Sequence, residues 1–141
     1  MSEMEIVREW FEIAQTDLKA TDHLYNTMHP RPLEIICYHC QQAAEKSLKG
    51  FITSRMIEPP FTHDLEKLRL ICVEHNVLFD TIQLSCLQLT GYSATTRYPN
   101  SPEIISTDAA LALIEAKKIH TFCSGLFPSL QTIKQEDDQA S

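Results

Sequence analysis

Residues 38–51 read YHCQQAAEKSLKGF, and the spacing within them decides the fold class. The stretch has no proline, and its single glycine stands near the end; Gln, Ala, Glu, Lys and Leu, all good helix formers, crowd the middle. Ile36, Cys40, Ala43, Ala44, Ser47, Leu48, Phe51 and Ile52 recur three and four apart, which lays them along one side of a helix. Gln41, Gln42, Glu45, Lys46 and Lys49 fall on the other side, where Glu45 and Lys49 form a favourable i,i+4 pair. The paired alanines admit a neighbouring helix at short range. The expectation is the central helix of a bundle, running from about residue 33 to 55.

The flanks repeat this logic. Val7, Trp10, Phe11, Ala14, Leu18, Thr21 and Tyr25 keep helical spacing from about residue 3 to 26, and Pro30 and Pro32 break the pattern. After a second break at Pro59 and Pro60, Thr62 or Asp64 can cap a short third helix carrying Leu65, Leu68, Ile71 and Cys72. A fourth begins near Phe79 or Asp80, with Ile82, Cys86, Leu89 and Ser93 on one face, and stops before Pro99. Ser106 or Thr107, followed by Asp108, starts a fifth with Leu111, Ile114, Ile119, Phe122 and Cys123, which Gly125 and Pro128 end. No strand alternation and no internal repeat interrupts this order. The class is all-α, an up-and-down bundle of about five helices resembling a four-helix bundle. Residues 1–130 read as one domain and the acidic residues 131–141 as a frayed tail.

Composition narrows the function classes. The 141 residues are enough for one domain with a real core. A formal charge of −7 gives nothing global that attracts nucleic acid or an anionic membrane, so a phosphate site must be a local cluster. No apolar run approaches the ~20 residues that span a bilayer. The acidic start lacks the features of a signal peptide, and five cysteines is an odd number; a cytoplasmic, reduced protein is expected.

Chemistry-bearing residues are few. Cys37 and Cys40, one helical turn apart, could share a zinc ion, yet no second ligand pair with suitable spacing exists, so packing is their expected role and no metal is expected. No Gly-rich phosphate loop and no Ser-His-Asp set can be assembled, and no cofactor is implied. His63, in Thr62-His63-Asp64-Leu65, can cap the third helix or receive a phosphate beside its positive end. Arg97 and Tyr98, in the YSATTRYP run of residues 92–99, can bond the last carbonyls of the fourth helix or offer a guanidinium and an aromatic face to a nucleotide.

The helix QQAAEKSLKGF, the helix start THDLEKL after a proline break, and RYP closing a later helix resemble, in that order, the HEPN domain family over residues 5–127. That resemblance implies a five-helix bundle that usually pairs as a homodimer, often encoded beside a minimal nucleotidyltransferase. It also implies one of two activities. Some members are metal-independent ribonuclease toxins of toxin–antitoxin pairs, and others bind nucleotides without cleaving RNA. Nuclease members carry an arginine, four to six residues, then a histidine at the end of the fourth helix. Here Arg97 fits, but no histidine follows until His120. Arg69 and His75 match the bare spacing on the third helix, where the family does not keep its active site.

The expected function is therefore a nucleotide- or phosphate-binding module, leaning away from an enzyme and acting with a nucleotidyltransferase. The expected site is Arg97 and Tyr98, with His63, Lys46 and Lys49 beside them. The alternatives are the ribonuclease toxin and a non-catalytic adaptor. Trp10, Phe11, Leu84 and Leu87, outside the narrowest apolar stripes, suggest the surface on which two chains pair.

Overall fold

The computed structural model describes residues 2–94, 99 and 102–130. Residues 131–141, expected as a tail, lie outside them, as do Arg97 and Tyr98. The bundle is all-α, and its described residues include α1 (Glu3–Thr27), α2 (Leu33–Ser54), α3 (Leu65–Val73), α4 (Gln83–Leu89) and α5 (Ser106–Gly125).

Each boundary has a local cause. A reciprocal capping box opens α1, with Glu5 N–H donating to Ser2 Oγ and Ser2 N–H to Glu5 Oε2. The turn that leads to α2 is held by Arg31, whose Nε donates to the Tyr25 carbonyl at 2.7 Å while its guanidinium stacks 4.1 Å over the Tyr25 ring. α2 is the central element, packed on α1, α3 and α5. Its predicted apolar residues are all buried. The opposite side is not the solvated face that periodicity suggested, because Gln41, Glu45 and Lys49 are buried as well. A helix enclosed by three neighbours has little outer face to spare.

Small residues set the spacing. A Cβ placed on Gly50 would lie 3.0 Å from Phe11 Cε2 and 3.1 Å from Trp10 Cβ, so α1 and α2 approach closely there only because residue 50 has no side chain. On α5 the core side is built from Ala109, Ala112, Leu113, Ala116, Ile119 and Cys123. Leu111 and Ile114, which continue the fifth helix in the sequence, face outward because the alanines take the crowded side. Phe11 sits in the core rather than on a surface. Phe79 lies between Phe51, at 4.5 Å between ring centroids, and Phe122, at 4.9 Å.

Two further expectations differ in detail. The fourth helix is short, entered through a 3₁₀ turn (Val77–Ile82) and left through another (Thr90–Tyr92). The side chain of Asn76 accepts from Leu78 N–H, and Asp80 is pulled onto the buried Arg69, which fixes the first turn in the tighter geometry. The second turn follows from Gly91, a poor helix former, and from Thr90, whose hydroxyl is held by Leu65 N–H at 3.0 Å. At α5, Ser106 and Thr107 are already helical and Ile105 is the cap position; the Asp108 carboxylate accepts from Ile105 N–H at 2.9 Å.

Candidate functional site

The buried polar side of α2 holds the main constellation. Glu45 sits at its centre, with a side chain only 6% exposed. One carboxylate oxygen accepts from Lys49 Nζ at 3.0 Å, and the other meets His63 Nδ1 at 2.7 Å. Gln41, one turn earlier, donates to the His63 carbonyl at 2.9 Å. A carboxylate can only accept, so His63 carries a proton on Nδ1 and turns Nε2 away from Glu45. The imidazole is anchored on one edge and 66% exposed. A charged pair buried this deeply must be fully hydrogen-bonded to be tolerated, and Glu45 satisfies both partners at once.

The segment that presents His63 is fastened residue by residue. Asp64 caps α3, its Oδ1 accepting from Glu66 N–H at 3.0 Å, and Thr62 Oγ1 accepts from Asp64 N–H. Leu65 N–H goes to Thr90. The first amides of α3 are thereby taken, so His63 neither caps that helix nor shares an open helix end with a phosphate. Its chemistry lies in the ring alone.

Lys46 goes elsewhere. Its Nζ donates to Asp17 Oδ2 on α1 at 2.8 Å, and His39 Nδ1 meets the other oxygen of Asp17 at 3.1 Å. The structure thus brings His63 and Lys49 together through Glu45 and separates Lys46 into a second carboxylate-centred cluster. Arg97 and Tyr98 are outside the described residues, and nothing places them against either cluster. Arg69 is structural: its guanidinium is buried between Glu66, held through two nitrogens, and Asp80 at 2.8 Å. The bonds from Glu66 and Asp80 raise the pKa of Arg69, and the same Arg69 bond lowers that of Glu66.

Sequence reading missed Glu45, Gln41, Asp17 and His39 as site residues. The i,i+4 spacing of Glu45 and Lys49 was the available signal. The partner that makes Glu45 interesting comes from 18 residues downstream, across a loop. The five cysteines are all free and buried. Burial pushes the Cys40, Cys72 and Cys86 thiols up to about 12. Among the described residues no group of three or more His, Cys, Asp or Glu is arranged to hold a metal ion, and no helix is long and apolar enough to cross a membrane.

Comparison with known proteins places these features. The model of the HEPN domain matches residues 7–126. The crystal structure of TT1696 from Thermus thermophilus is similar in fold, with a TM-score of 0.70 and 26% identity, covering 84% of this chain and 96% of that one. None of the curated proteins matches the chain.

Proposed function

Because the chain belongs to the HEPN domain family, matched over residues 7–126, we propose that it is a nucleotide- or phosphate-binding module that acts with a minimal nucleotidyltransferase. One observation carries this reading: a mostly exposed imidazole held in a fixed orientation by a buried carboxylate. Phosphate oxygens are recognised by charge-assisted donors, and a protonated His63 offers Nε2–H outward while Nδ1–H stays on Glu45. Lys49 is the neighbouring cation. Arg97 and Tyr98 complete the set on sequence grounds, as a guanidinium and a stacking ring, and Lys46 is a more distant contributor. Leu84 and Leu87 both face solvent on α4, which is what pairing into a homodimer through that helix would use.

Calorimetric titration with inorganic phosphate, AMP and ATP tests the reading. His63→Ala and Arg97→Ala are each expected to weaken binding by about 1–3 kcal/mol, the worth of a charge-assisted hydrogen bond. A parent protein that binds none of the three ligands at millimolar concentration would leave the module without its ligand and favour the adaptor. Light scattering at twice the chain mass is the expected result for the homodimer.

The Glu45–His63 pair also supports a second reading, a metal-independent ribonuclease. A neutral ring with Nδ1–H on a carboxylate presents Nε2 as a general base, and Arg97 would stabilise charge at phosphorus. RNA cleavage lost in His63→Ala but kept in His120→Ala would establish it.

A further inference from the structure

A cavity of about 410 Å³ opens where the start of α1, the end of α2 and the following loop meet. Trp10, Ile6, Ile57 and Phe61 give it aromatic and aliphatic walls. Phe61 is fully exposed and Met56 largely so, which leaves apolar surface in the lining open to solvent. Its charged groups are Lys49, Glu3 and Glu58. The Lys49 charge is already answered by Glu45 at 3.0 Å. The side chains of Glu3 and Glu58 form no hydrogen bond or ion pair among the described residues. Among the described residues the cavity therefore carries two carboxylates with no paired cation, in a lining that includes Trp10 and Phe61, on a chain whose net charge is −7.

With Lys49 paired to Glu45, the charge left over in the cavity is negative and attracts a cation. A long aliphatic stem ending in a positive group suits it in every part. The stem lies along Ile6 and Ile57, the charged head meets the face of an aromatic ring, and the carboxylates answer its charge. We propose that this cavity receives an arginine or lysine side chain from a protein partner, with Trp10 and Phe61 against the cationic head and Glu3 and Glu58 as its counter-charges. Arginine is the better occupant, because its planar guanidinium stacks on a ring and binds carboxylates through paired donors. The cavity meets the His63 cluster through Lys49, but His63 is not among its lining residues, and the proposal does not depend on a nucleotide being bound at that ring.

Trp10 is the only tryptophan in the chain, so its emission reports the cavity directly. The full-length protein would be titrated with three capped tripeptides: Leu-Arg-Leu, the same peptide with neutral citrulline in place of arginine, and Leu-Glu-Leu. The expected result is a saturable emission change with the arginine peptide, about tenfold weaker binding of the citrulline peptide, and no response to the glutamate peptide. In the Glu3→Gln, Glu58→Gln double variant, the arginine peptide should fall to the citrulline level while the melting temperature stays in place. Equal affinity for arginine and citrulline peptides, or no saturable change with any of the three, overturns the proposal. So does an emission change saturated by AMP and not by the arginine peptide, which would assign the cavity to nucleotide instead.

Discussion

Replacing Glu45 by Ala tests the centre of the site more sharply than any other single change. The substitution removes the acceptor of Lys49 Nζ and of His63 Nδ1. Gln41 loses only a long 3.3 Å contact and keeps the His63 carbonyl. His63, mostly exposed, can turn to water, so the cost falls on Lys49, whose side chain is 10% exposed. Stranding one member of a buried ion pair costs about 3–5 kcal/mol, and the cavity beside Lys49 lets in water, so the loss should be ~3 kcal/mol. Equilibrium urea unfolding reads this as a shift in midpoint at constant slope. The informative companion is Glu45→Leu with Lys49→Met. Removing both charges leaves two apolar side chains and should bring stability to within about 1 kcal/mol of the parent. Coupling of about 2 kcal/mol or more between the sites is then expected, while the double variant, with His63 no longer anchored, should still lose phosphate binding. A cost for Glu45→Ala below about 1 kcal/mol, with additive effects in the pair, would refute the reasoning. Lys49 would then be solvated and its bond to Glu45 incidental.

Other positions give independent checks. Gly50→Ala gains about 1 kcal/mol of helix propensity but forces a Cβ against Phe11 and Trp10, so urea unfolding should show a net loss of about 1 kcal/mol rather than a gain. Phe79→Ala empties the aromatic stack between Phe51 and Phe122 and should cost about 3–5 kcal/mol by the same measurement. The Arg69 bond holds Glu66 below its ordinary 4.5, so this group contributes stability above that value that is lost as the pH falls; in acid titration Glu66→Gln should flatten the acid limb. The Cys40, Cys72 and Cys86 thiols, raised from 9.0 to about 12 by burial, contribute stability that is full below 9.0 and lost as the pH rises through about 12. Iodoacetamide at pH 8 should label them only when urea unfolds the chain, and rapid labelling of the native protein would contradict their burial.

The fold was legible because helix periodicity and proline breaks are local signals. The residues Ile36, Cys40, Ala43, Ala44, Ser47, Leu48, Phe51 and Ile52 suffice to orient α2, and all are buried. What periodicity cannot see is how many neighbours a helix has. Gln41, Glu45 and Lys49 look like a solvated face until α3 and its preceding loop fold over them. The fourth helix was overextended for a related reason. Its first turn is shaped by Arg69 from another element, and its last by a hydroxyl bonded to Leu65. At the site, Asp64 was named as a possible cap and is the cap, whereas the His63 ring finds its partner on α2, which spacing alone could not indicate.

His63 is tied to α2 twice, by its carbonyl to Gln41 and by its ring to Glu45. The two ties sit one helical turn apart, so the segment cannot lift away without releasing both. Local opening of this segment and loss of a correctly aimed imidazole are then a single event. A ligand that binds the ring draws on the closed population and, by mass action, should slow amide hydrogen exchange at Leu65 and Glu66, whose N–H groups face Thr90 and Asp64 rather than the ligand. Occupancy of the ring would thus be recorded in the protection of amides that never touch the ligand.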